Sequence, residues 1–150
     1  MRNFHAERWA ARFDQGRMPD PPTISLYCCG CGCEVRPRMA TGFEIYPTRP
    51  DLRGLPFWRC DTCGNHVGTH HKTRRCYEPL GCIPTRALAT LRSRIHHQLD
   101  PLWERKGWMR STVYARLTEA LGRTYHTADL RTADEVALVL EAIRVMHSEQ

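Results

Sequence analysis

The sequence has no apolar run approaching the roughly 18 residues that a membrane-spanning helix needs, and no charged-then-apolar leader at its start. It therefore reads as a soluble, non-secreted protein, with the bacterial cytoplasm as the expected location. It has no internal repeat, which excludes a solenoid, and no low-complexity segment. A glycine-rich phosphate loop is missing, and no serine or unpaired cysteine stands in a context that suggests a nucleophile. The expectation is a non-enzymatic protein with no small-molecule substrate.

Cysteine is abundant. Eight occur in 150 residues, four of them in "YCCGCGCE" at positions 27–34. In a reducing compartment such a count points to metal rather than to a disulfide framework. Cys28-x-x-Cys31-Gly32 and Cys60-x-x-Cys63-Gly64 are two copies of one device. A thiolate pair two residues apart followed by glycine makes a tight turn, and two such turns supply the tetrahedral set that Zn²⁺ accepts. The 28 residues between the pairs exceed the usual spacing of about 15–20. A two- or three-stranded insertion absorbs the excess, as in a zinc ribbon. Cys28, Cys31, Cys60 and Cys63 are the expected ligands of one structural zinc. Cys29 stands where many knuckles carry proline, and Cys33 reads as a half-buried strand residue. Cys76 and Cys82, with His70 and His71, are the ingredients of a second zinc site, or alternatively lie in a loop as free thiols. A four-cysteine site is closed, so the zinc holds a fold and does not act on a substrate.

Charge is unevenly spread. Residues 64–110 hold nine Lys and Arg against three Asp and Glu, together with five of the eight histidines. Residues 1–63 carry a net +2 and residues 111–150 a net −2. A four-thiolate zinc centre lowers the formal +6 of the chain to about +4, still concentrated in the middle third. Such a block is the footprint of a polyanion-binding face, although a solvated helix face has the same composition. Arg59, Lys72, Arg74, Arg75, Arg86, Arg92 and Arg94 are the candidate phosphate contacts. Phe57, Trp58 and His66 are candidate stacking partners unless the first two are strand core.

The expected architecture is α+β. Residues 1–22 form an N-terminal helix (3–16) and a proline-rich linker, 23–83 a zinc ribbon with a basic loop, and 84–150 a helical bundle. "FEIY" (43–46) and "LPFWRC" (55–60) are the strand candidates. Pro84 suits the first turn of a helix running to about Leu99, after which Asp100 caps a new turn at Pro101. Asp100 is one helical turn from His96, and Trp103 would anchor this segment in the core. Ser111 caps a helix ended by Gly122, and its apolar face carries Val113, Leu117, Ala120 and Leu121. Thr132 and Glu135 form a capping box opening a last helix striped by Val136, Val139, Leu140, Ile143 and Met146. These last two helices have the pattern of a helix-turn-helix reader, but their connection is longer than the usual three or four residues and the segment is net acidic, so the expected role is scaffold or protein-binding face.

"CDTCGNHVGTH" (60–70), "PLG" (79–81), "RIHHQLDPLW" (94–103), "RSTVYARLTEALG" (110–122) and "HTADL" (126–130) follow one another in an order that resembles a family of small phage and prophage proteins with a zinc-finger-containing domain of unknown function. The resemblance covers about residues 26–130. It implies a fold, a zinc and a phage-like origin, but no activity. Three functions are in play: DNA or RNA binding, docking on a host nucleic-acid-processing complex, and a metal-dependent nuclease using His66, His70 or His71.

Overall fold

A computed structural model describes residues 20–149. The expected helix at 3–16 lies outside the described residues. The chain divides into two compact units, Met1–Ile83 and Pro84–Gln150. Each is built on a different principle.

The described part of the first unit holds five short strands: β1 (Leu26–Cys28), β2 (Cys33–Val35), β3 (Arg38–Thr41), β4 (Pro56–Arg59) and β5 (His66–Gly68). β1 and β2 pair antiparallel as a hairpin, while β3, β4 and β5 form a three-stranded antiparallel sheet with β4 in the middle. Period-two alternation sets the faces of that sheet. Met39, Trp58 and Val67 lie in register and point inward, where Trp58 and Val67 are buried. Arg38, Arg59 and His66 share the opposite face, with Ala40, Phe57 and Gly68 beside them. Trp58 and Phe57 thus divide, one to the core and one to the outer face. The core cluster is small: Cys28, Trp58, Cys60, Val67, Tyr77 and Ile83. The Trp58 indole N–H donates to the Tyr77 carbonyl at 2.7 Å, which satisfies its buried polar atom.

"LPFWRC" contains β4, whereas "FEIY" overlaps a short helix, α1 (Gly42–Ile45), in place of the expected strand. The cause is local. The Gly42 N–H donates to Leu55 O, Phe43 N–H to Arg53 O and Tyr46 N–H to Gly42 O, so the segment's backbone groups are satisfied within its own excursion. Gly42 also sits so close to Leu52 that a Cβ would fall 1.6 Å from the Leu52 carbonyl oxygen. Only glycine fits there. Cys33 is in a strand as expected, but exposed rather than half-buried.

The second unit is helical, with α2 (Arg86–Glu104), α3 (Arg110–Leu121) and α4 (Ala133–Ser148). Its buried apolar residues recur at helical spacing: Leu88, Ile95, Leu99 and Leu102 on α2, Val113 and Leu117 on α3, and Val136, Val139, Ile143 and Met146 on α4. α4 packs against both α2 and α3. The capping box is present, the Thr132 hydroxyl accepting from the Glu135 N–H at 3.2 Å. Gly122 ends α3 with φ of 75°.

Three boundary expectations need correction. Thr85 caps α2 by accepting from Leu88 N–H at 3.1 Å, so Pro84 lies just before the cap rather than in the first turn. The helix continues through Asp100 and Pro101 to Glu104, and the proline forgoes one bond of the ladder, to the carbonyl four residues before it. Ser111 lies inside α3, whose N-cap is Met109. Trp103 is half-exposed rather than a core anchor, with the Arg110 guanidinium 4.7 Å over its ring. No described helix is long and apolar enough to cross a membrane.

Candidate metal centre

The two CxxCG turns come together at the base of the ribbon. Gly32 N–H donates to Cys28 O at 2.8 Å and Gly64 N–H to Cys60 O at 2.7 Å, and the two glycines adopt φ of 69° and 78°. Each glycine therefore takes the left-handed step that closes its turn. Inside each turn the amides point at the first sulfur: those of Gly30 and Cys31 toward Cys28, those of Thr62 and Cys63 toward Cys60. The knuckles are built alike.

The sulfurs of Cys28, Cys31, Cys60 and Cys63 all lie within 4.8 Å of one another. Cys28 and Cys63 are 3.4 Å apart and Cys31 and Cys60 are 3.6 Å apart. Zn–S bonds of about 2.3 Å in a tetrahedron put sulfurs about 3.8 Å from one another, a spacing that the observed separations bracket. Asn65, unremarked in the sequence, completes the setting. Its amide donates to Cys63 Sγ at 3.2 Å and presses on Gly30, where a Cβ would lie 2.3 Å from Asn65 Nδ2. Gly30 is thus needed so that Asn65 can reach the sulfur, an outer-shell role no spacing rule exposes.

Four adjacent thiols cannot all ionise without a cation. The hydrogen bond to Cys60, with burial, holds the Cys31 thiol up at about 12. Burial also raises Cys28. Cys60 falls to about 7: burial opposes its ionisation, but the Cys63 amide and the Cys31 and Cys63 thiols outweigh that. Cys31 and Cys60 behave as a pair sharing one proton. Zn²⁺ supplies the missing positive charge and expels the protons.

His70, His71, Cys76 and Cys82 are not gathered in this way. Among the described residues only the four-cysteine set brings three or more His, Cys, Asp or Glu donors within reach of one ion. Cys76 packs against the apolar core, and Cys82 lies beside Cys29, its Sγ 3.9 Å from that of Cys29.

The candidate phosphate contacts fall on both units. Lys72, Arg74 and Arg75 are exposed on the loop after β5, where Arg75 pairs with Glu78 at 3.6 Å. Arg86 and Arg94 are exposed on α2. Arg59 is half-buried and committed to carboxylates: it bonds Glu44 at 2.7 Å, while Arg38 reaches Glu44 at 2.6 Å and Asp61 at 2.9 Å. Those arginines hold the Glu44 carboxyl below its ordinary range. Arg92 leaves the set. It is 8% exposed, and its guanidinium donates to the Leu130 carbonyl from Nη2 at 2.6 Å and Nε at 3.2 Å. His96 and Asp100 lie on α2, His96 exposed and Asp100 half-buried.

Three rings on or against the outer face of the sheet pack edge to face: Tyr46 with His66 at 5.3 Å, Tyr46 with Phe57 and Phe57 with His66 at 5.7 Å. Tyr46 OH is 2.8 Å from His66 Nε2. Burial, with Arg59 nearby, lowers the His66 pKa and keeps the imidazole neutral at neutral pH. Phe43 and Tyr46 belong to the stretch expected as a strand: Phe43 lies in α1, exposed, with Arg53 4.8 Å over its ring, and Tyr46 is the helix's C-cap.

A closed four-thiolate centre on paired glycine-ended turns, at the end of a small antiparallel sheet, is the hallmark of a zinc-finger protein. The chain belongs to a family described as a zinc-finger-containing domain, whose model matches residues 24–149. Comparison with curated proteins and with solved structures finds no match.

Proposed function

We propose that this is a non-enzymatic, zinc-stabilised nucleic-acid-binding protein of phage type. Zinc supplies structure here: the four thiolates fill its coordination sphere and leave no position for a substrate. The observation that carries the reading is the loop after β5, where Lys72, Arg74 and Arg75 project into solvent with Glu78 as the one acidic partner found among the described residues. Arg86 and Arg94 add two exposed cations on α2. Phe57 and His66 supply faces for bases next to the ribbon's own strands. Arginine forks suit phosphate oxygens, and the contacts are sequence-independent.

The experiment is a salt titration of binding to DNA and RNA. About five phosphate contacts give a log–log slope of about −4.5 on duplex DNA, or about −3.5 on single strands. Changing Lys72, Arg74 and Arg75 together to Ala should flatten the slope by about 2–3 while leaving zinc content and folding unchanged. No binding at low salt to either nucleic acid contradicts the reading.

A second reading, docking on a host protein, draws on the helical unit. Leu138 and Val145 stand two turns apart on α4 and are 52% and 41% exposed, an apolar pair facing away from the buried stripe. Retention of a host nucleic-acid-processing complex by the wild-type chain, lost in Leu138→Glu, favours it. Cleavage of nucleic acid that requires Mg²⁺ or Mn²⁺ and fails in His70→Ala would favour the nuclease instead.

A further inference from the structure

We infer that Cys29 and Cys82 are a redox-responsive thiol pair, a modification site that hydrogen peroxide converts to a disulfide without consuming the zinc ligands. The two are 53 residues apart in sequence, yet their sulfurs lie 3.9 Å from one another. Backbone bonds hold them there. Cys28 and Ile83 form a parallel bridge, Cys29 N–H donates to Ile83 O at 2.8 Å, and Ile83 N–H donates to Tyr27 O at 2.9 Å. The neighbourhood of both cysteines is thus pinned by main chain, and a disulfide requires the sulfurs to close from 3.9 Å to roughly 2.05 Å.

The pair is also distinct from the metal set. Cys28 is apposed to Cys63 and Cys31 to Cys60, so neither Cys29 nor Cys82 belongs to the cluster of four. Of the other cysteines, Cys33 is exposed on β2 and Cys76 packs against the apolar core. Access is graded: Cys29 is half-buried, whereas Cys82 is 6% exposed. Peroxide therefore meets Cys29 first, and Cys82 resolves the product.

The Cys29 sulfur attacks one peroxide oxygen and the O–O bond breaks. The thiol proton goes to the departing oxygen, which leaves as water, and Cys29 becomes a sulfenic acid. The Cys82 sulfur then attacks the Cys29 sulfur, the S–O bond breaks, and the hydroxyl departs with the Cys82 proton as a second water. Two thiols have lost two electrons and two protons to one peroxide. Zinc-bound thiolates react more slowly because their lone pairs are shared with the metal. The product is a covalent strap from the first knuckle to the end of the ribbon, independent of what the protein binds.

The test is treatment of the zinc-loaded full chain with hydrogen peroxide, alkylation of remaining thiols, and mass mapping without reduction, with released zinc read in the same samples by a chromogenic chelator. The expected result is one link between the segments carrying Cys29 and Cys82, formed with zinc retained and reversed by dithiothreitol. It should vanish in Cys29→Ser and persist in Cys33→Ser and Cys76→Ser. Cys29→Ser is the deciding variant, since its side chain is the less buried of the two. Release of zinc in step with oxidation, a link that survives Cys29→Ser, or both cysteines recovered alkylated would overturn the inference.

Discussion

The two units solve the problem of a stable interior in opposite ways. Nine apolar residues are buried in the described part of the ribbon, and three of them are cysteines; its strands are three or four residues long. The helical unit buries a dozen, ten of them at 1% exposure or less, and all but Tyr125 and Leu130 lie on helices of 12 to 19 residues. Short strands over so small a core are marginal in water, and a metal supplies what burial cannot. The helices need none. One chain thus joins a half that leans on metal to a half held by apolar packing, and the difference predicts which perturbation each half feels.

The largest effect falls on the ribbon. Cys60→Ala removes one thiolate from a site whose binding free energy, of order 10 kcal/mol or more, is also folding free energy. Zinc content should drop to zero and the amide signals of residues 26–83 should collapse, while those of α2, α3 and α4 stay dispersed. Cys33→Ala, an exposed non-ligand, should leave both halves unchanged. Next comes a cavity in the other half. Ile143 is fully buried on α4, so Ile143→Ala should destabilise the helical unit by about 3 kcal/mol, read by urea denaturation, with zinc stoichiometry unaltered.

Smaller again is the loss of a cap. Thr132→Ala deletes the acceptor for Glu135 N–H and should cost about 1 kcal/mol. The smallest effect separates the halves by pH. Burial opposes ionisation of Glu135, but the Arg131 amide and the Arg123 guanidinium outweigh it and hold its pKa below the ordinary value. A carboxyl with a depressed folded pKa contributes stability above its unfolded pKa, and that contribution fades as pH falls through the folded one. Glu135→Gln should therefore lower helical stability at neutral pH by less than Thr132→Ala does. The gap from wild type should close as the pH drops below the carboxylate range.

Much of this comparison could be read before any coordinates. The zinc ligands were legible because a knuckle is local: spacing and a trailing glycine define it, and Gly32 and Gly64 take the backbone conformation that role demands. The α4 stripe and its Thr132 cap were legible for the same reason. What escaped depends on residues distant in sequence. "FEIY" has strand composition, but Leu52, Arg53 and Leu55 claim its neighbouring backbone and turn it into α1. Arg92 looks like one more surface cation until Leu130, 38 positions later, offers a buried carbonyl. Asn65 carries no motif, and its value lies in contacts with Gly30 and Cys63. The juxtaposition of Cys29 with Cys82 follows from a bridge between β1 and the end of the ribbon, which no spacing rule encodes.

The most direct test of the whole account is metal analysis of the purified wild-type chain, followed by residue-resolved NMR during removal of the metal with a strong chelator. The account predicts one zinc per chain, and loss of structure confined to residues 26–83 with the three long helices intact. A ribbon whose spectrum is unchanged once the metal is gone would contradict it.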